Sequence, residues 1–525
     1  MIDHFPFYLT LIFAIVLLIM LANKIKVAYP VVLVVAGLLI SLIPGIPVLH
    51  IRPELIFLIF LPPLLYDAAF SISWKELWRW RRIITSFAFI VVFLTALSVA
   101  LFANAVIPGL SLALGFLLGG IVSPPDAVSA SAILKFVKVP RRMSSILEGE
   151  SLLNDASSLI IFRFALLAVG TGQFIWHEAA LSFGWMVIGG VGIGLLIGWL
   201  FMKVHKLLPT DVNMDILLTL IAPYVMYIAA EEVHSSGVLA VVSGALLMST
   251  QRNYFLKSSS RLRGDNVWQS LVFVLNGLVF LLIGLDLPEI SGGLEKEGVS
   301  MAAAIGYGLL ITLVLIVVRF LSSFGAVIVT HIAGNFIQVA DRNPGFKAPF
   351  VLGWTGMRGV VSLAAALSIP EQISEGVAFP HRNLILFITF IAIITTLLLQ
   401  GLTLPYLIKK VNLPEFNDYI AEEEAVSLIK KGLAEQTLTH IDNHYTEQLS
   451  YDTHLQQLSG KWKEVSNRIP EPEMRKESKR IHLDILEQQR KWLLLKNKTD
   501  DKIDEEVIRK FLHQIDLEEE KVKGM

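Results

Sequence analysis

The stretch Glu148-Gly149-Glu150-Ser151-Leu152-Leu153-Asn154-Asp155 sets three carboxylates, an amide and a hydroxyl near the start of an otherwise apolar run over 144–169. Even on the lenient insertion scale an ionised group costs about 2.5–3.5 kcal/mol at the centre of a bilayer, so charges in a membrane span point to function. The rest of the chain says that this run is a span. Of 525 residues, 54% are apolar and 17% are charged. Charge gathers at one end: 411–525 holds 24 acids and 18 bases, against 21 acids and 26 bases in the much longer 1–410. A soluble core has no use for so much apolar sequence, and several runs reach the about 20 residues needed to cross a bilayer. The chain reads as an all-α, polytopic membrane protein over 1–410 with a helical cytoplasmic tail over 411–525 that is regulatory or supports a dimer.

Apolar windows bounded by polar or turn residues number thirteen, at 5–22, 28–44, 54–70, 83–105, 110–136, 144–169, 182–202, 213–230, 236–250, 267–285, 301–330, 349–368 and 383–408. No Lys or Arg precedes the first, which therefore reads as a retained span and not as a cleaved signal peptide. With the N-terminus outside, the inward loops carry 20 Lys and Arg residues and the outward loops only Arg52, Lys296 and Arg382. That bias follows the positive-inside rule and leaves the tail in the cytoplasm, as expected for a multi-pass protein of the cell (inner) membrane.

The fifth window is interrupted by Gly119-Gly120 and Ser123-Pro124-Pro125, and the twelfth around Gly353-Trp354-Thr355-Gly356-Met357-Arg358-Gly359. They lie seven windows apart, an odd offset that sets equivalent spans antiparallel. Broken segments in corresponding places mark an inverted-repeat transporter with a site near the midplane.

At about 100° per residue, Glu150, Asn154, Ser151 and Asp155 fall at about 0°, 40°, 100° and 140°, on one helical face. Carboxylate, hydroxyl and amide oxygens are hard ligands that suit a small cation better than zinc or copper. A carboxylate taken partly out of water also holds its proton more tightly, so one site can hold either a proton or a cation. Competition between the two is exchange.

In the fifth window Pro124 and Pro125 have no N–H, so the carbonyls of Gly120 and Ile121 lose their helical partners and become available to an ion. Asp126 follows directly, as an N-cap for the second half-helix, as a site residue, or as both. Arg319 is isolated in the apolar Leu315–Leu321 stretch and needs an acid. Glu150 is the first candidate, but spacing does not choose among Glu148, Glu150 and Asp126. Arg358 is placed to neutralise the carbonyl ends of the facing half-helix.

These strings are specific. Gly149-Glu150-Ser151-Leu152-Leu153-Asn154-Asp155-Ala156, Asp126 placed 29 positions before Asp155, Phe60-Leu61-Pro62-Pro63-Leu64-Leu65-Tyr66-Asp67-Ala68, Gly356-Met357-Arg358-Gly359 and the mid-span Arg319 resemble the bacterial sodium/proton antiporters of the monovalent cation:proton antiporter family. That branch includes the eukaryotic sodium/proton exchangers. The resemblance covers roughly 5–410 and implies thirteen helices, a homodimer and an elevator-like movement of a core against a scaffold. It implies that Asp155 binds a proton and a cation in turn, with Ser151 and Asp126 beside a bound Na+. Glu150 would pair with Arg319, and Asn154, standing where the electrogenic branch has a second aspartate, implies electroneutral exchange. Asp67 and Arg358 belong to family motifs of less defined role, and Arg163 would tune Asp155 if close to it. One departure bears on the ion: Pro125 precedes Asp126 and Ala127 follows, whereas related antiporters commonly have Thr or another residue before this Asp and Pro after it.

The expected activity is antiport of Na+, and of Li+ with it, against H+. A K+/H+ antiporter of the same fold is the alternative, and a cation channel, which would conduct without a pH gradient, is the more distant one. A net charge of −1 offers nucleic acid no basic face, and zero cysteines exclude disulfides, thiolate metal sites and a Cys nucleophile. His-Glu-Xaa-Xaa-His and Gly-Xaa-Ser-Xaa-Gly do not occur, so an enzyme is not expected, nor any cofactor. Trp74, Trp78 and Trp80 among Lys75, Arg79, Arg81 and Arg82 read as a lipid-facing segment at the inner membrane surface. In the tail, Ile503, Val507, Phe511 and Ile515 form an amphipathic stripe, and Ile469-Pro470-Glu471-Pro472 separates two halves.

Overall fold

The structure is a computed structural model and describes residues 5–43, 57–134, 137, 139–172, 176–333, 335–336, 345–374, 377–413, 422–467, 476–499 and 505–524. Its helices are α1 Phe5–Ile25, α2 Tyr29–Ser41, α3 Leu61–Ser71, α4 Trp74–Thr85, α5 Val92–Val106, α6 Leu112–Val122, α7 Ala127–Leu134, α8 Arg141–Thr171, α9 Trp176–Leu207, α10 Val212–Glu232 and α11 Gly237–Phe255. They continue with α12 Ser258–Leu285, α13 Leu287–Lys296, α14 Met301–Ala333, α15 Lys347–Trp354, α16 Val360–Leu367 and α17 Arg382–Val411. Before α17, the strands β1 Gln372–Ser374 and β2 Val377–Ala378 form an antiparallel hairpin. The chain divides into two compact units, Met1–Glu415 and Phe416–Met525, a few residues beyond the expected boundary at 410.

Among the described residues seven helices are long and apolar enough to cross a membrane, and shorter apolar helices run over Leu9–Ile25, Tyr29–Ser41, Phe57–Ser71 and Leu112–Val122. In hydrocarbon, helices gain little from burying apolar surface against one another, so close approach of small residues drives their packing. Gly190, Gly194 and Gly198, one turn apart on α9, meet Ser236, which caps α11, and Ala240 and Gly244 on α11 backbone to backbone. Gly37 on α2 and Gly284 on α12 face each other in the same way, as do Gly115 and Gly119 on α6 with Ala100 and Ala96 on α5. At one end of α9, α10 and α12, His205 Nδ1 lies 2.9 Å from Asp215 Oδ1, and Ser260 Oγ donates to Asp215 Oδ2 at 2.7 Å. The Asp215 carboxylate, bonded from both sides, ties the three helices together.

The helix of the fourth expected span starts earlier than its apolar window. Ser73 caps α4, whose helix continues through a π-turn at Ser86–Val91 into α5. Trp74 and Trp78 are exposed and stacked, as an interfacial segment requires. Trp80 corrects that reading: it is buried, with its Nε1 on Glu76 at 3.1 Å and Arg142 over its ring. It turns inward because it lies half a turn from Trp78.

In the tail unit, α18 Glu422–His444, α19 Thr446–Tyr451 and α20 Thr453–Asn467 precede the pair α21 Lys476–Thr499 and α22 Glu505–Gly524. The pair buries Leu486, Leu493 and Ile515, and Arg490 on α21 binds Glu487 and, across on α22, Asp516 and Glu519. Of the expected stripe, Ile515 is buried and Phe511 is mostly exposed; Ile503 and the Val507 side chain lie outside the described residues, as does the 469–472 step.

Gly190 and Gly192 on α9 provide an internal comparison. A Cβ on Gly190 would lie 2.7 Å from the Ser236 carbonyl oxygen, whereas one on Gly192 meets nothing within 4 Å. Gly190→Ala is expected to destabilise the protein by about 1–3 kcal/mol through overpacking. Gly192→Ala is expected to be neutral or stabilising by up to about 1 kcal/mol from helix propensity. Thermal melts of the two detergent-purified variants make the comparison.

Candidate functional site

The two interrupted segments meet each other. α6 ends at Val122 because neither Pro124 nor Pro125 can donate a helical hydrogen bond, and α7 resumes at Ala127. α15 ends at Trp354 and α16 resumes at Val360. Between them the Asp126 N–H donates to the Met357 carbonyl at 2.7 Å, so the two non-helical stretches are joined backbone to backbone. A Cβ on Gly359 would strike the Asp126 carboxyl, which explains a glycine at that position.

Each neighbouring polar group draws a side chain. Arg358, 1% exposed, donates through Nε to the Val122 carbonyl at the end of α6 and through Nη1 to Gly356 O. Its charge thus sits on the negative end of the half-helix, where a cation is favoured. The Gly120 carbonyl, expected to be open to an ion, instead accepts from Ser123 Oγ at 3.3 Å, because a serine hydroxyl can fold back one turn. Asn154 Nδ2 donates to the Pro125 carbonyl at 3.1 Å, leaving Asn154 Oδ1 buried without a partner among the described residues. From α17, Gln400 Oε1 accepts from the Gly356 N–H at 3.2 Å and Thr396 Oγ1 from the Arg358 N–H at 3.1 Å. These two braces escaped the sequence reading. Two buried polar residues one turn apart in an apolar span were the available signal.

The α8 face divides between two tasks. Glu150, 1% exposed, receives both Nη groups of Arg319 on α14, and the face of Phe87 lies 5.0 Å from that guanidinium. The aromatic ring comes from the π-turn, and Ser157 donates to the Ala88 carbonyl of the same turn. Of the three acids open to Arg319 on spacing, Glu150 is the one that meets it; Glu148 is exposed and Asp126 is engaged elsewhere.

The other edge of the face lines a cavity of about 360 Å³. Ser151 and Asp155 reach it from α8, Asp126 from the interrupted stretch, and Asp67 and Ser71 from α3, with Glu148 also on its wall. Asp155 is 8% exposed and its carboxylate has no hydrogen-bond partner among the described residues. Asp126 caps α7: Oδ1 accepts from the Val128 N–H at 3.0 Å, and Oδ2 from the Ser129 N–H at 3.1 Å and from the Ser129 hydroxyl. Its two carboxylate oxygens keep only their remaining lone pairs for the cavity.

Arg163 takes a place different from the one considered for it. It lies two helical turns, about 12 Å, from Asp155 along α8. There it binds Glu231 of α10 at a partly exposed position. Helical spacing put it on the right helix but could not tell that α10 would supply its acid. No cluster of three or more His, Cys, Asp or Glu side chains able to hold a metal ion occurs among the described residues. A few oxygens in a cavity suit a cation that must leave again.

This is an apolar helical fold in which a carboxylate lines a cavity beside the crossing of two interrupted helices, and comparison with known proteins places the fold. Residues 10–410 match the family described as sodium/hydrogen exchanger, transmembrane, and the chain belongs to that family. It is 34% identical over 391 residues to the sodium, potassium, lithium and rubidium/H+ antiporter of Bacillus pumilus (strain SAFR-032), covering 73% of this chain and 58% of that protein. The chain thus spans under two thirds of that relative's length. The low-affinity Na+/H+ antiporter NhaS1 of Synechocystis is 30% identical over 416 residues, covering 78% of this chain and 74% of NhaS1. The solved structure of the sodium proton antiporter MjNhaP1 from Methanocaldococcus jannaschii at pH 8 has the same fold, with a TM-score of 0.61 at 18% identity over 78% of this chain and 99% of that one.

Breaking a buried ion pair by removing one partner costs about 3–5 kcal/mol, because the other charge stays behind. Glu150→Gln is expected to lose stability on that scale. Adding Arg319→Met to Glu150→Gln should recover part of the loss, since no guanidinium then remains unpaired. A double-mutant cycle on melting of the purified protein measures the coupling.

Proposed function

We propose that the chain exchanges Na+, and Li+ with it, for H+ across a membrane, with Asp155 as the carboxylate for which they compete. The observation that carries this is the Asp155 carboxylate itself. It lies in a largely apolar cavity beside the crossing of two interrupted helices, with no protein hydrogen-bond partner among the described residues. A structural acid at that depth would be paired, as Glu150 is.

In the cycle, protonated Asp155 releases H+ to one side, and the carboxylate then takes a cation with Ser151 and Asp126 beside it. The reverse happens at the other side. One monovalent cation replaces one proton, so no net charge moves, and Asn154 in place of a second acid supports that count. Arg358 and Asn154 hold the crossing, and Glu150 with Arg319 holds α8 against α14. Asp67, on the cavity wall, adds negative potential on the ion's path.

A second reading, K+/H+ exchange at the same carboxylate, is favoured by the name of the Bacillus pumilus relative, which includes potassium and rubidium. The remaining parts of the proposal are thirteen crossings, an outside N-terminus and a cytoplasmic tail in the cell membrane, with lipid around a homodimer. With no cysteine in the chain, single cysteines at Ser258 and Ser300 test the orientation. An impermeant thiol reagent applied to intact cells should label Ser300→Cys and spare Ser258→Cys.

Cation-induced proton movement in inside-out vesicles, with Na+, Li+ and K+ in turn, tests the function. Asp155→Asn should abolish exchange while the protein still inserts and dimerises. In the wild type the apparent KM for Na+ should fall as pH rises, because protons compete for the same group, until Asp155 is deprotonated throughout. Full coupled exchange in Asp155→Asn would end the proposal, and movement driven by K+ alone would replace its cation.

A further inference from the structure

The cavity wall carries a buried amide besides its carboxylates and hydroxyls. Asn276 lies on α12, a helix that carries none of the residues considered so far for the site. It is 6% exposed and lines the cavity that also takes Asp155, Ser151 and Asp126. Its carboxamide oxygen is buried and has no hydrogen-bond partner among the described residues.

The direction of the side chain follows from its neighbours. Val272, Asn276 and Phe280 stand one turn apart and share a face of α12. Val272 lines the same cavity, and Phe280 packs edge-on against Tyr29 of α2, with centroids 6.2 Å apart at 79°. Tyr29 is itself on the cavity wall. Asn276 thus lies between Val272, which lines the same cavity, and Phe280, which packs behind the wall residue Tyr29. A buried acceptor without a partner is unfavourable, and leucine would pack there with no such cost. An amide oxygen is also a hard, neutral ligand of the kind that replaces water around an alkali cation.

We propose that Asn276 is a specificity-determining residue of this cavity, offering its carboxamide oxygen to the dehydrating alkali cation on its way to Asp155. This rests on the exchange reading above, and it deepens that reading by naming a residue that discriminates between cations. Because the donor is uncharged and comes from a different helix than Asp155, it acts on cation affinity and leaves proton binding at the carboxylate in place.

The test uses the full-length purified protein, with binding read from the rise in melting temperature on adding NaCl, LiCl or KCl against choline chloride. Asn276→Leu removes the oxygen and keeps the branch at Cγ. Its melting temperature in choline chloride should equal or exceed the wild-type value. Its half-saturating Na+ concentration should rise about tenfold, the factor of one lost ligand contact. Li+ and K+ should shift by different factors, so that the order of preference changes. Asn276→Asp, which keeps the shape and adds a charge, should lower the half-saturating Na+ concentration. Vesicle assays should show the same KM shifts, with smaller changes in maximal rate.

Unchanged half-saturation for all three cations in either folded variant would overturn the inference. So would a lower melting temperature in choline chloride with unaltered cation dependence, the mark of a structural amide. Failure of the exchange reading looks different: the wild type would show no cation-dependent stabilisation, or Asp155→Asn would keep it.

Discussion

The structure turns on unpaired backbone in a place where water cannot serve it. Two helices are interrupted within the membrane domain, and every exposed N–H or carbonyl there carries a cost of several kcal/mol unless the protein supplies a partner. Asp126 N–H to Met357 O joins the two breaks directly. Arg358, Asn154, Gln400, Thr396 and Ser123 then take the Val122 carbonyl, the Pro125 carbonyl, the Gly356 N–H, the Arg358 N–H and the Gly120 carbonyl. Arg358, Asn154 and Gln400, which look out of place in apolar sequence, are answers to this one constraint.

Asp155 is the exception, and its meaning comes from the contrast. Glu150 lies five residues earlier on the same helix and is fully matched by Arg319, with Phe87 covering the guanidinium. Asp126 is matched by the first turn of α7. Asp155 alone of the three has no such match among the described residues and opens on the cavity. Glu150 and Asp126 are thus held by partners while the Asp155 carboxylate faces the cavity without one among the described residues, the contrast on which the proposed exchange site rests.

The frame is assembled by small residues. Three glycines at one-turn intervals on α9 against Ser236, Ala240 and Gly244, and Gly37 against Gly284, bring helices to backbone contact. In a bilayer such contacts replace the hydrophobic drive that folds soluble domains. They place α12 against α2, and so set Asn276 and Tyr29 on the wall of the cavity that Asp155 enters from α8.

By itself the sequence determined what is local. Composition and window length identify a membrane domain, Pro124-Pro125 and the Gly356–Gly359 region identify the interruptions, and 3.6-residue periodicity puts Glu150, Asn154, Ser151 and Asp155 on one face. Those follow from properties of single segments. Only the tertiary structure decided which segment meets which: that Arg319 takes Glu150 and not Glu148, that Arg163 goes to Glu231, that Trp80 turns inward, and that Thr396, Gln400 and Asn276 face the site. Periodicity says which residues look the same way, but the helix they look at is chosen by packing between segments far apart in the chain.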